Sequence, residues 1–112
     1  MQTKEIVSAL ATLAQEFRLA VFRLLVSVGP SDMAANKIAE QLGMVPSSLS
    51  FHLGELTHAG LILPHPEGRF IRYAANLDAM NGLTGFLTEN CCDGNVCTPH
   101  GLQQCAPSTA NA

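Results

Sequence analysis

The feature that most constrains the fold of this chain is a change in hydrophobic period at Gly60. Before Gly60, apolar residues recur at the three- and four-residue spacing that is typical of amphipathic helices. After it come two short runs typical of strands, Leu61–Leu63 and Phe70–Tyr73. The chain has 112 residues, a length that fits one domain, so the helices and the strands are expected to share one core.

Four helices are predicted before the change of period. Their apolar stripes are Ile6–Ala14, Phe17–Val28, Ile38–Leu42 and Leu49–Leu56. Residues 29–30, Gly-Pro, end the second helix because Pro cannot extend the helical ladder. Asn36 is the predicted cap of the short third helix, and Gly43 is its terminator. Pro46 suits the first position of the longer fourth helix.

After the change of period, the sequence predicts a hairpin and one more helix. The turn of the hairpin is expected in the Pro- and Gly-containing stretch 64–69. Asp78 is the predicted cap of the last helix. The apolar side of that helix carries Met80, Leu83, Phe86 and Leu87. Gly82 and Gly85 weaken it, so it needs tertiary or dimer packing to hold it.

A short helix, a tight glycine-containing turn and a longer helix followed by a hairpin is the order of a winged helix-turn-helix. The predicted fold is mostly α with one β-hairpin, in the order α-α-α-α-β-β-α. The face of the longer helix opposite its leucine stripe is small and polar, which suits the major groove of DNA. The candidate DNA-binding residues are Ser47, Ser48, Ser50, Phe51 and His52 on this helix and Arg69 and Arg72 on the hairpin.

Each of these residue types has a chemical role at DNA. Serine hydroxyls bond base edges and phosphates, Phe51 suits a thymine methyl group, and the two arginines suit phosphate oxygens. Alternatively, the serines only cap the helix and Phe51 packs on a neighbour. The formal net charge of the chain is −3, and residues 44–75 hold Arg69 and Arg72 against two glutamates. We therefore expect a shallow salt dependence of DNA binding.

All four cysteines lie in the last quarter of the chain, where a disulfide-stapled secreted fold would have spread them out. They are Cys91, Cys92, Cys97 and Cys105. The N-terminal residues form neither a signal peptide nor a membrane span, so we expect a cytoplasmic protein with no membrane partner. From Gly94 onward no residue is charged. We expect a folded DNA-binding and dimerisation domain over residues 1–90 and a flexible tail over residues 91–112.

Five segments follow one another in the order and at the spacing of a known family. They are Leu13–Leu25, Ile38–Gly43, Ser47–Leu53, Leu56–Ile62 and Glu67–Tyr73. Over roughly residues 8 to 76, the chain resembles the ArsR/SmtB family of metal-responsive repressors. The resemblance implies a homodimeric winged-helix protein whose first and last helices form the dimer interface. It also implies a repressor that sits on a palindromic operator and leaves it when metal binds.

Two metal sites that are common in that family are missing, because residues 31–42 hold no cysteine and residues 78–90 hold no histidine. What remains is the run Cys91-Cys92-Asp93-Gly94-Asn95-Val96-Cys97. This run resembles a subgroup of arsenic repressors that has an adjacent cysteine pair and a third cysteine downstream. Three thiolates suit trivalent arsenic or antimony, which prefers sulfur ligands in a three-coordinate pyramid.

The chain is thus predicted to be a homodimeric repressor that binds operator double-stranded DNA. Trivalent arsenic, as arsenite or an organoarsenical, or antimony would release it by binding Cys91, Cys92 and Cys97. Alternatives are a tetrahedral zinc site that adds His100 and Cys105, a redox switch that closes a disulfide, or a thiol-based metal-binding protein. An enzyme is not predicted, because no hydrolase, metalloprotease, Walker or dinucleotide-binding motif occurs.

Overall fold

The computed structural model describes residues 1–90 of the chain. The elements are α1 (Thr3–Leu13), α2 (Glu16–Val28), β1 (Met33–Ala34), α3 (Ala35–Leu42), α4 (Pro46–His58), β2 (Ile62–Glu67), β3 (Phe70–Ala75) and α5 (Leu77–Thr88). The helices and the hairpin confirm the predicted winged helix-turn-helix. The expected flexible tail, residues 91–112, lies outside the described residues. Within the described part, no helix has the length and apolar character needed to cross a membrane.

Two predicted helix caps are wrong. The N-cap of α3 is Ala34, two residues before the predicted cap Asn36, because Met33 and Ala34 are held extended in β1. Asn36 therefore lies inside the helix. Asn76, and not Asp78, caps α5 and accepts a hydrogen bond from the backbone N–H of Ala79 at 3.2 Å. Its amide also donates to the carbonyl of Gly60 at 2.9 Å, which ties the start of α5 to the end of α4.

The predicted terminator of α3 is confirmed. Gly43 has a left-handed φ of 63°, and its N–H donates to the carbonyl of Ala39. A glycine adopts this conformation without the steric cost that a side chain would add. Pro46 stands at the start of α4, also as predicted. These two residues make the tight turn between the helices of the helix-turn-helix.

The hairpin is longer than the sequence predicted. Residues 64–67, which were expected in the turn, pair with β3 as part of β2, and the turn is the dipeptide Gly68-Arg69. Pro64 and Pro66 are tolerated because β2 is an edge strand, where alternate N–H positions face away from β3. This hairpin, residues 62–75, is the wing of the fold, and Arg69 lies at its tip.

The sheet has a third strand that the sequence analysis missed. Strand β1 is only two residues long, and Met33 and Ala34 pair with Tyr73 and Arg72 of β3. The strand order is β1-β3-β2, so β3 is central. This pairing connects the base of the wing directly to the start of α3.

The core lies between α2, α3, α4 and the base of the hairpin. Its largest fully buried side chains are Leu25, Ile38, Leu49, Leu56, Leu61, Ile62 and Val21. Helix α5 differs from the other helices, because none of its residues is buried. Its first turns, with Leu77 and Met80, pack at the margin of this core.

Candidate nucleic-acid interface

Helix α4 divides into a buried and an exposed face. Leu49, Leu53 and Leu56 point into the core, with exposed fractions of 2%, 2% and 0%. Ser47, Ser48, Ser50 and Phe51 all lie on the exposed side of the helix. The side chain of Phe51 is 62% exposed. The outer face therefore has hydroxyl groups and one apolar ring free to contact another molecule.

The beginning of α4 is suited to a negatively charged group. Its N-cap, Val45, makes no side-chain capping hydrogen bond, and no acidic residue lies in the first turn. The backbone N–H groups of Ser47 and Ser48 have no intrahelical partner at this end of a helix. They point outward with the positive end of the helix dipole, where phosphate oxygens bind favourably.

The structure corrects the placement of His52. It was predicted among the candidate DNA-binding residues of this helix, but its side chain is 8% exposed and is the one buried polar side chain among residues 1–90. Its ring lies 5.9 Å from the ring of Phe17 and 5.5 Å from that of Phe51. The spacing could have revealed this, since residue 52 is three after Leu49 and four before Leu56, on the same stripe.

The two predicted wing arginines differ in their surroundings. Arg69 lies in the exposed turn between β2 and β3, and within residues 1–90 no acidic side chain forms an ion pair with it. Arg72 lies in β3, where its Nε donates to Asp32 Oδ1 at 2.6 Å and its Nη2 donates to the Asp32 carbonyl at 3.1 Å. Arg72 is therefore turned toward the body of the protein, which the sequence analysis did not foresee.

The Asp32–Arg72 contact changes the ionisation of both groups. The Arg72 guanidinium holds the pKa of the Asp32 carboxyl below its usual range, first through the hydrogen bond and also through its charge. The same pair raises the pKa of Arg72. His65 Nδ1 lies 3.3 Å from the other carboxylate oxygen of Asp32. The three side chains together attach the wing to the loop that precedes β1.

A groove of about 410 Å³ lies between α3, α4 and the wing. Its lining is mostly apolar and includes Leu49, Phe70 and Tyr73. Ser50 of α4 and Arg69 of the wing tip line the same groove. The exposed helix face and the wing tip thus belong to one side of the molecule, as two contacts to a single DNA duplex require.

The predicted metal ligands Cys91, Cys92 and Cys97 lie outside the described residues. Within residues 1–90, no group of three or more His, Cys, Asp or Glu side chains is arranged to hold a metal ion. Two of the three histidines of this part have other partners, since His52 packs against α2 and His65 contacts Asp32.

Comparison with known proteins agrees with this architecture. Residues 13–65 match a family model described as a helix-turn-helix domain. An ArsR-like transcriptional regulator from Rhodococcus sp. RHA1 is 30% identical, with a TM-score of 0.66 over 75% of this chain and 76% of that one. A possible transcriptional regulator for arsenical resistance is 29% identical, with a TM-score of 0.62 over 71% of this chain and 80% of that one.

A homodimeric winged helix-turn-helix domain from Mycobacterium bovis shares the fold. Its TM-score is 0.61 at 20% identity, over 86% of this chain and 89% of that one. No curated protein sequence matches the chain. The first two of these structures are described as an ArsR-like transcriptional regulator and a possible transcriptional regulator, and not as enzymes, in agreement with the prediction from the sequence.

Proposed function

This chain belongs to the ArsR family of winged-helix transcriptional regulators, and on that premise we propose that it is a homodimeric repressor induced by a trivalent metalloid. It holds its operator until trivalent arsenic or antimony binds Cys91, Cys92 and Cys97. The observation that carries the DNA-binding part is the exposed N-terminal face of α4, which lies on the same side of the molecule as Arg69.

At the operator, α4 enters the major groove with its N-terminal half. The hydroxyls of Ser47, Ser48 and Ser50 bond phosphates and base edges, and Phe51 contacts a thymine methyl group. Arg69 at the wing tip binds the DNA backbone or the minor groove beside it. Arg72 and His52 act indirectly in this proposal, since both are turned toward the protein.

The proposed dimer follows from apolar surface that one protomer leaves exposed. Val7 and Leu10 on α1 are 59% and 42% exposed, and Leu87 on α5 is 60% exposed. The two helices contact each other, and we infer that their exposed apolar side chains form one dimer surface. A second copy would cover this region and place two reading helices about one DNA turn apart. A solved protein of this fold is described as homodimeric, which supports the same arrangement.

The inducer part of the proposal is supported by where α5 ends. The helix stops at Thr88, before the first cysteine, and Asn90 has a left-handed φ of 60°. The cysteine pair at 91 and 92 therefore begins three residues after the end of a helix of the proposed dimer surface. Three soft thiolates match the sulfur preference of trivalent arsenic. A matching structure is described as a possible regulator for arsenical resistance, which favours this ligand class over zinc.

Release of DNA requires that the metalloid bind the non-operator state more tightly than the operator-bound state. By reciprocity, operator DNA must then weaken metalloid affinity by the same factor. Couplings of this kind are typically about 5- to 150-fold. We expect the bound metalloid to reshape the end of α5, and with it the spacing of the two reading helices.

A DNA-binding titration tests the proposal. A duplex is first selected from a random library with the metal-free protein, and its affinity is then measured with arsenite, antimonite, zinc or peroxide present. We expect arsenite and antimonite to lower the affinity at least about fivefold. Cys91→Ser, Cys92→Ser and Cys97→Ser should each abolish this response, while Cys105→Ser serves as the matched control and keeps it.

Each contrary result points to a different alternative. Release by zinc alone, with dependence on His100 and Cys105, favours a zinc-responsive regulator. Release by peroxide alone favours a disulfide switch. Failure to select any duplex favours a thiol-based metal-binding protein. Release of a variant without cysteines by arsenite would overturn the proposed site.

A further inference from the structure

Arg18 is the residue through which α1, α2 and the DNA-facing helix α4 meet. It lies in the first turn of α2, where its backbone N–H donates to the side-chain oxygen of Gln15 at 2.8 Å. Its guanidinium is part-buried and reaches the two other helices. The other lysines and arginines of the chain, Arg72 excepted, are exposed, so this arrangement calls for a physical reason.

The first contact of the guanidinium is with the end of α1. Arg18 Nε donates to the carbonyl of Thr12 at 2.7 Å. The last carbonyls of a helix have no intrahelical partner and form its negative end. Helix α1 has no basic residue in its own last turn, so Arg18 supplies the cation that this end favours.

The second contact is with the DNA-facing helix. Arg18 Nη1 lies 3.3 Å from His52 Nδ1, across 34 positions of sequence. A guanidinium has only donors, so this hydrogen bond requires His52 Nδ1 to be unprotonated and the ring proton to sit on Nε2.

His52 carries the contact toward the proposed DNA-binding face. Its ring lies edge-on to Phe51, with 5.5 Å between the ring centroids, and also packs against Phe17 of α2. Phe51 is the exposed aromatic side chain of that face. A continuous set of contacts therefore runs from the end of α1 through Arg18 and His52 to Phe51.

We propose that Arg18 is a positioning residue for operator binding, which sets the orientation of α4 against α1 by donating to Thr12 and to His52 at once. It touches no DNA itself. The inference rests on the proposed function, because α1 belongs to the proposed dimer surface and α4 to the proposed DNA-binding face. In a dimer, an error in this orientation is repeated in both protomers and changes the separation of the two reading helices.

Conservative variants separate positioning from stability. Lys at position 18 keeps the charge but has a single ammonium group, so Arg18→Lys cannot serve both acceptors in the same geometry. His52→Leu introduces an apolar side chain of similar size and removes the acceptor. His52→Asn keeps an acceptor oxygen near the position of Nδ1. Arg23→Lys, on the exposed side of α2, is the matched control.

We expect Arg18→Lys and His52→Leu to lower operator affinity about tenfold or more, in line with the loss of a charge-assisted hydrogen bond. The double variant should lose no more than the larger single loss, because both act through one contact. His52→Asn should restore affinity to within about threefold of the wild type, and Arg23→Lys should leave it unchanged. All variants are checked for an unchanged helical circular dichroism spectrum.

A spectroscopic measurement reads the contact without DNA. Imidazole nitrogen chemical shifts of the full-length protein should show His52 as the Nε2–H tautomer, and Arg18→Lys should change that signature. Wild-type affinity in Arg18→Lys or His52→Leu would overturn the inference alone. A wild-type protein that selects no duplex would overturn the proposed function as well, and the two failures are thereby distinguished.

Discussion

Helices α4 and α5 have nearly the same length and both carry an apolar stripe, yet they differ in how far this stripe is buried. Helix α4, Pro46–His58, buries four residues, whereas α5, Leu77–Thr88, buries none. Leu56 is fully buried, while Leu87 is 60% exposed. An apolar stripe therefore predicts only that a helix face is to be buried. The partner that buries it can be the same chain or a second copy.

The exposed faces of the two helices also differ in polarity. The outer face of α4 is polar except for Phe51, which suits DNA, and α5 presents apolar side chains beside those of α1. The domain thus has two surfaces of different chemistry, one that we propose for nucleic acid and one that we propose for a second protomer. The predictions below test whether this division is correct.

The largest effect on stability should come from truncating a buried leucine of α4. Leu56→Ala should lower the free energy of unfolding by about 2–5 kcal/mol, because it removes core contacts and leaves a cavity. Leu87→Ala, the matched truncation on α5, should cost less than about 0.5 kcal/mol within a protomer, as exposed sites usually do. Urea unfolding at several protein concentrations measures both losses and separates the protomer from the dimer. Equal losses at high dilution would contradict the contrast between the two helices.

The second prediction addresses the surface that α1 and α5 share. Val7→Glu should weaken the proposed dimer about 100-fold, equivalent to ~2.8 kcal/mol, because it places an unpaired charge in an apolar interface. Sedimentation equilibrium measures the change. Val45→Glu is the matched control, since Val45 is also highly exposed, at 65%, but precedes α4. If both variants weaken dimerisation equally, or if neither weakens it, the proposed interface is wrong.

The third prediction tests the outer face of α4. Phe51→Ala should lower operator affinity by about 1–3 kcal/mol, the range for one direct contact to a base edge. The partner on DNA can be tested in the same assay by replacing thymines of the selected operator with deoxyuridine, which lacks the methyl group. Where Phe51 contacts that methyl, the wild type should lose affinity on the substituted duplex and the variant should not. Additive losses would show that Phe51 acts elsewhere.

The smallest effect on stability is expected at the wing. The wing is held in place by the polar contact between Asp32 and Arg72, whereas α4 is held by its buried leucines. The pKa of Asp32 is lowered in the folded protein by Arg72, so the contact stabilises the fold above the usual carboxyl pKa. This stabilisation is lost as the pH falls below about 4, through the lowered pKa. Asp32→Asn should therefore reduce the melting temperature modestly near neutral pH and flatten its decline in acid.

The control for the acid experiment is Asp78→Asn, which removes a carboxylate near the start of α5. Its melting temperature should follow the wild-type pH profile in shape. The same pair of variants sharpens the comparison in the DNA-binding assay. If Asp32 positions the wing, Asp32→Asn lowers operator affinity, whereas if Asp32 acts only as a charge that repels phosphate, the same variant raises it.

Local sequence signals predicted most of the fold. The leucine stripe of α4, the glycine that ends α3 and the proline that opens α4 act through contacts and dihedral angles within a few residues. Strand β1 was missed because two residues are too short to show a period. The hairpin turn was misplaced because the edge position that tolerates Pro64 and Pro66 depends on which strand lies beside them.

The candidate site was predicted less completely than the fold. The exposed serines and Phe51 were found, because a helical period assigns them to the face opposite the leucines. The side chain of His52 turns instead to Arg18, 34 positions earlier, and that of Arg72 to Asp32, 40 positions earlier. Neither partner is visible in a local pattern.

By itself, the sequence determined the helices, the hairpin and the polar outer face of α4, since periodicity, caps and turns act over neighbouring residues. The tertiary structure alone decided which apolar stripe the protomer covers, which arginine remains free at the wing and which histidine is buried. Those outcomes depend on contacts between residues far apart in the chain, and a side chain's environment is set only when the elements have packed.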